Sequence, residues 1–150
     1  MKQIVIGILA VLALYGCNGN AQQINNKKMS KLIYVMDPLC GWCYGNSANT
    51  QHLYDTYKNQ IDFEILPAGM WIGENARKQS KPMAQYIKKH DLQIQQVTGT
   101  AFGQDYFKFV ENESIVLDSE IPSRAIVTVK KIWATQAVSF AIEVQKARYL

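Results

Sequence analysis

Two cysteines three residues apart, Cys40 and Cys43, follow an apolar run of strand length, Leu32 to Met36, and open a polar and aromatic stretch with helical spacing. No other feature constrains the fold as tightly. Thiols at this spacing close a disulfide only where a turn holds them, and a strand running into the first turn of a helix supplies that turn.

The chemistry of the pair follows from that placement. Only a thiolate attacks a disulfide, and an ordinary cysteine with a pKa of about 8.5 is a few per cent ionised near neutrality. Cys40, at the start of the expected helix, faces unpaired backbone N–H groups and the positive end of the helix dipole, which favour its anion. It is the expected attacking sulfur. Cys43, one turn further on the same face, is the expected resolving sulfur, within reach of a mixed disulfide on Cys40. Gly41 and Trp42 between them set local geometry and apolar surface, so they are expected to tune the balance between dithiol and disulfide.

Other uses of two cysteines fare differently. A structural zinc site needs four ligands, whereas the third cysteine is Cys17 and His52 and His90 stand alone. Covalent haem attachment needs histidine directly after the second cysteine, where this chain has Tyr44. Two soft thiolates after a strand also suit Cu(I), so a metal-binding module is the alternative reading. Domains of that kind are small, and more than a hundred residues follow Cys43 here. No cofactor is expected beyond the Cys40–Cys43 disulfide itself.

Residues 1–17 read as an export signal. Lys2 supplies a positive start, Ile4 to Leu14 an apolar core too short to span a bilayer, and small residues follow. Leu14-Tyr15-Gly16-Cys17 resembles the lipobox of bacterial lipoproteins, in which Cys17 would carry the lipid; ordinary cleavage near Ala21 is the other possibility. Residues 18–30 are nearly free of apolar side chains and read as a flexible tether. Together these place the chain on the periplasmic side of a bacterial membrane, where disulfide chemistry is needed. The net charge of +4 is scattered among interleaved acids, which gives no nucleic-acid footprint.

Along the rest of the chain the pattern is α/β. A strand over 31–36 is followed by the Asp37-Pro38 bend and a helix over 41–58. Ile61, Phe63 and Ile65 alternate with Asp62 and Glu64, a half-buried strand that Pro67 stops. Strand, helix and strand at this spacing imply a parallel pair. Residues 73–120 offer short helical patterns broken by Gly99 and Gly103, a helical insertion with its aromatics expected in the core. Asp118 or Ser119 is expected to cap a helix to about Ile132 with Pro122 in its first turn, and a last helix runs almost to Leu150.

With this order laid out, the chain from 31 to 150 resembles the DsbA-like thiol-disulfide oxidoreductases, in the branch of predicted protein-disulfide isomerases. The resemblance is carried by Asp37-Pro38-Leu39-Cys40-Gly41-Trp42-Cys43-Tyr44-Gly45, with Pro67-Ala68-Gly69-Met70-Trp71, Asp118-Ser119-Glu120 and Ser123-Arg124-Ala125 in support. It implies a thioredoxin-like fold with an inserted helical domain, and dithiol–disulfide exchange on exported protein clients, reset by a further redox partner. It also implies C-terminal strands, a last helix and a cis-proline beside the cysteines. Pro38, Pro67, Pro82 and Pro122 do not supply that proline, so the chain reads as a partial thioredoxin domain, and a non-catalytic lipoprotein derived from such an enzyme is a further alternative.

Three side chains near the pair carry their own expectations. Asp37 either relays a proton to the resolving thiol or closes an Asp-Pro turn. Trp42 either stacks on a client peptide or covers Cys43. His52 and His90 are expected at the surface, His90 at a helix end.

Overall fold

The computed structural model describes residues 30–150. The signal segment 1–17, the lipidation candidate Cys17 and the tether up to residue 29 lie outside the described residues. Ser30, assigned to the tether by its polarity, begins the first strand instead, because its backbone pairs with Ile61.

Strand β1, Ser30–Met36, runs parallel to β2, Ile61–Pro67, in a continuous register from Ser30↔Ile61 to Met36↔Pro67. Between them lie α1, Gly41–Gly45, and α2, Ser47–Tyr57. The single helix expected over 41–58 is thus interrupted at Asn46, which keeps a right-handed helical conformation and bonds back to Trp42. Leu32, Tyr34 and Met36 of β1 turn toward the interior, while Ile33 and Val35 remain exposed, the alternation that a strand with one covered face requires.

The segment after β2 is only partly helical. A two-residue strand β3, Arg77–Lys78, pairs antiparallel with β4, Val116–Leu117, and these were not expected; two-residue strands leave no periodic trace. Helix α3, Lys81–Thr98, lies between them and begins at Ser80, whose hydroxyl accepts from the Met83 N–H. It ends at Gly99, held at φ +72°, the left-handed region that glycine occupies without steric penalty. Helix α4, Gln104–Val110, follows. Helix α5, Glu120–Ile132, starts after Ser119, and α6, Ala137–Tyr149, closes the chain.

Two larger cores result. Met36 and Ile65 from the sheet meet Ile126 of α5 and Ala137 and Ala141 of α6, with Cys43 packed at the edge. The second core joins the active-site turn to the insertion: Tyr44 meets Ala84 and Ile94 of α3, Phe102, Tyr106 and Val110, and Tyr149 of α6. The Tyr44 and Tyr149 rings stack at 4.6 Å. A smaller cluster of Tyr54, Val138 and Ile142 holds α2 to α6. Helix α6 therefore buries side chains on several sides, and it fixes α1 relative to both cores. The insertion aromatics divide: Phe102 and Tyr106 are buried, whereas Tyr86 and Phe109 are exposed.

Candidate redox site

The turn that positions the cysteines is built on Asp37. Its side chain is 3% exposed; Oδ1 accepts from the Leu39 N–H and the Ser119 hydroxyl, both at 2.8 Å, and Oδ2 accepts from the Met70 N–H at 2.7 Å. Its carbonyl accepts from the Cys40 N–H at 3.1 Å and from the Gln145 side-chain amide at 3.4 Å. One residue therefore joins the end of β1, the loop after β2, the start of α5 and helix α6. Of the two readings of Asp37, this is the turn geometry, extended to a four-way clamp. Ser119 is the cap position of α5 but does not cap it, because its hydroxyl is committed to Asp37; Asp118 takes the Glu120 N–H instead.

Cys40 and Cys43 carry free thiols, both partly accessible. Cys40 stands in extended conformation just before α1, and its Sγ accepts from the Cys43 backbone N–H at 3.3 Å. The Cys43 thiol hydrogen bond, aided by the Cys43 and Trp42 backbone N–H groups, lowers the Cys40 pKa to about 7 against the opposing effect of burial and of the Asp37 charge. The same hydrogen bond and burial push the Cys43 thiol far up. The pair is therefore asymmetric: one sulfur ionises near neutrality and the other holds its proton.

Cys40, Gly41 and Trp42 open onto a cleft of about 410 Å³ between the active-site turn, the Met70-Trp71 loop and the insertion. Trp42 is 47% exposed and lines this cleft. Gly41 is required by packing: a Cβ there would stand 2.5 Å from Asp91 Oδ1 and 3.0 Å from Ile94 Cδ1. His52 is exposed on α2. His90 lies within α3 rather than at its end, its ring 4.2 Å from that of Tyr86, and it faces the cleft.

The sequence reading missed three residues of this cleft. Asp91, Tyr106 and Arg148 come from α3, α4 and α6 to line it beside Cys40. A signal existed for the first: Ala84, Ile87, Asp91 and Ile94 keep one helical face, and the acid stands in its apolar stripe. Among the described residues no group of three or more His, Cys, Asp or Glu side chains is arranged to hold a metal ion, and all peptide bonds are trans.

No protein-family model and no curated protein sequence matches the chain. Solved structures do. The cytosolic disulfide reductase DsbM from Pseudomonas aeruginosa is 31% identical with a TM-score of 0.66, over 80% of this chain and 55% of DsbM. The same protein with GSH superposes at a TM-score of 0.67 and 30% identity. A proposed protein disulfide isomerase from Nitrosomonas europaea shares the fold at a TM-score of 0.69 and 24% identity, again over 55% of its length. The chain thus spans about half the length of the structures it matches.

Proposed function

We propose, for a chain whose structural neighbours are DsbA-like proteins of thioredoxin-like fold, that Cys40 and Cys43 carry out thiol–disulfide exchange. The observation that carries this reading is the asymmetric pair: a Cys40 sulfur that accepts from the Cys43 N–H and opens to a cleft, beside a Cys43 that keeps its proton. The Cys40 thiolate attacks one sulfur of a client disulfide, forming a mixed disulfide and releasing the other as a thiolate. Cys43 then loses its proton and attacks Cys40 Sγ. The client leaves as a dithiol, two electrons richer, and Cys40–Cys43 is left as a disulfide; the reverse sequence oxidises a client. The direction is set by the reduction potential of the pair and by the partner that resets it.

Asp37 supports this exchange by holding the turn, Gly41 by letting α1 approach α3, and Trp42 by offering apolar surface to the client. The clients are proteins bearing thiols or disulfides. Residues 1–17 and Cys17 extend the reading to an exported protein tethered to a membrane by lipid, which rests on their sequence pattern. The catalytic assignment is tested with the full chain on insulin and on a scrambled client. Both activities are expected to fall to background in Cys40→Ser. Cys43→Ser is expected to accumulate the mixed disulfide. A fully active Cys40→Ser protein overturns the assignment.

A further inference from the structure

Asp91 is an acid in an apolar place. It is 4% exposed within α3, and its Oδ2 accepts from the Tyr106 hydroxyl at 2.6 Å. Its Oδ1 accepts no hydrogen bond from any described residue, yet it is not among the polar atoms sealed from solvent, so it opens to the cleft. That oxygen lies against the backbone of Gly41, the residue after Cys40, where even a methyl group would collide with it. A buried carboxylate with one free oxygen, lining the cleft onto which Cys40 opens, has no structural task on that oxygen.

The walls of the cleft show what the task is. Met70, Trp71, Met83 and Ile87 line it, so a sulfur displaced from a substrate disulfide by Cys40 would emerge as a thiolate beside apolar side chains. In bulk water an alkyl thiolate departs unaided; among apolar walls and next to an acid its bare charge is costly. We propose that Asp91 is a catalytic acid of the exchange, giving its proton to the sulfur that leaves when the Cys40 thiolate attacks a substrate disulfide. This rests on the exchange reading above. The disulfide bond breaks as the Cys40–sulfur bond forms. The electron pair goes to the departing sulfur, which takes the Asp91 proton, and the carboxylate regains a proton from water through the cleft mouth.

The groups around Asp91 suit that role. Burial raises its pKa to about 6, opposed by the Tyr106 hydrogen bond and by the charges of Arg148 and His90. His90 faces it from its own helix, Tyr106 from α4, and Arg148 and Tyr149 from α6, while Cys40 opens onto the same cleft from the active-site turn. The Arg148 guanidinium stands over the Tyr106 and Tyr149 rings at 5.8 and 5.6 Å. An acid that must hold its proton and a thiol that must lose its own give the reaction a bell-shaped pH profile, rising with Cys40 ionisation and falling with Asp91 ionisation.

The test compares two neutral disulfides on the full chain. Hydroxyethyl disulfide releases a basic alkyl thiolate, and dithiodipyridine releases a weakly basic thione that needs no acid. Asp91→Asn keeps the side-chain shape and the Tyr106 contact. With hydroxyethyl disulfide it is expected to lose about tenfold in rate per Cys40 thiolate, at the low end of general-acid effects. Its profile should become a simple rise with Cys40 ionisation. With dithiodipyridine the variant and the parent should agree within about twofold, since no acid acts there. Equal slowing of both reagents, or no slowing of either, overturns the proposal. In Tyr106→Phe the lost hydrogen bond should move the falling limb for hydroxyethyl disulfide to higher pH, and an unmoved limb counts against the role. Failure of the parent chain to react with dithiodipyridine at Cys40 would instead end the exchange reading itself.

Discussion

Removing the Asp37 carboxylate tests how the redox turn is held. In Asp37→Ala the Leu39 N–H, the Met70 N–H and the Ser119 hydroxyl all lose their acceptor, each now 2.7–2.8 Å from a carboxylate oxygen. A hydrogen bond to a charged group contributes about 1.5–3 kcal/mol, so three sum to about 4.5–9 kcal/mol if fully lost. Leu39 and Met70 lie near the cleft mouth, where water can replace part of the loss, and the expected destabilisation is about 4 kcal/mol. That is a large fraction of the 5–15 kcal/mol that stabilises an ordinary domain. Urea unfolding followed by circular dichroism measures it. Ser119→Ala, which removes one of the three bonds and also the Trp71 N–H bond to the Ser119 hydroxyl, should cost about 2 kcal/mol and keeps the comparison open if the alanine variant at 37 does not fold. A loss below about 1 kcal/mol in Asp37→Ala would refute the clamp. Asp37→Asn supplies an independent readout: the Asp37 charge disfavours both thiolates, so the Cys40 pKa should fall in that variant. Thiolate absorbance against pH reports it.

Two further outcomes follow from packing and from the amino-terminal pattern. Gly41→Ala should be destabilised by about 1 kcal/mol in urea despite the better helix former, because overpacking against Asp91 and Ile94 outweighs the propensity gain, and a net stabilisation would show that α3 yields there. In a bacterial host the full chain should label with palmitate and sediment with membranes, and Cys17→Ser should abolish the label; an unlabelled parent chain favours simple cleavage of the signal.

Local features of this protein were legible because each depends on neighbours in sequence. The strand 31–36, the alternating Ile61, Phe63 and Ile65, and the glycine end of α3 are read from periods of two and 3.6 and from one residue with positive φ. The asymmetry of Cys40 and Cys43 was anticipated too, but its source was not. The helix beneath Cys40 is five residues long, and the largest effect on its acidity is the hydrogen bond from the Cys43 thiol. The sequence shows the spacing that brings the two sulfurs together, while the packing of Cys43 against the sheet core belongs to the fold.

Asp37 and Asp91 show where that limit lies. Asp37 precedes a proline and reads as a turn residue, which is true of its bond to Leu39; its bonds to Met70 and Ser119 span 33 and 82 residues and depend on how β2 and α5 dock. Serine at 119 reads as a helix cap for the same reason, since a hydroxyl before a helix has an obvious local donor, yet a buried carboxylate is the stronger partner. Asp91 is the converse case. Its place between Ile87 and Ile94 on an apolar stripe is visible in the sequence, and an acid there must be either an error of phase or a buried group with a partner. What decides between these is Tyr106, fifteen residues on, and Gly41, fifty residues back, and only the fold brings them to the same side of α3.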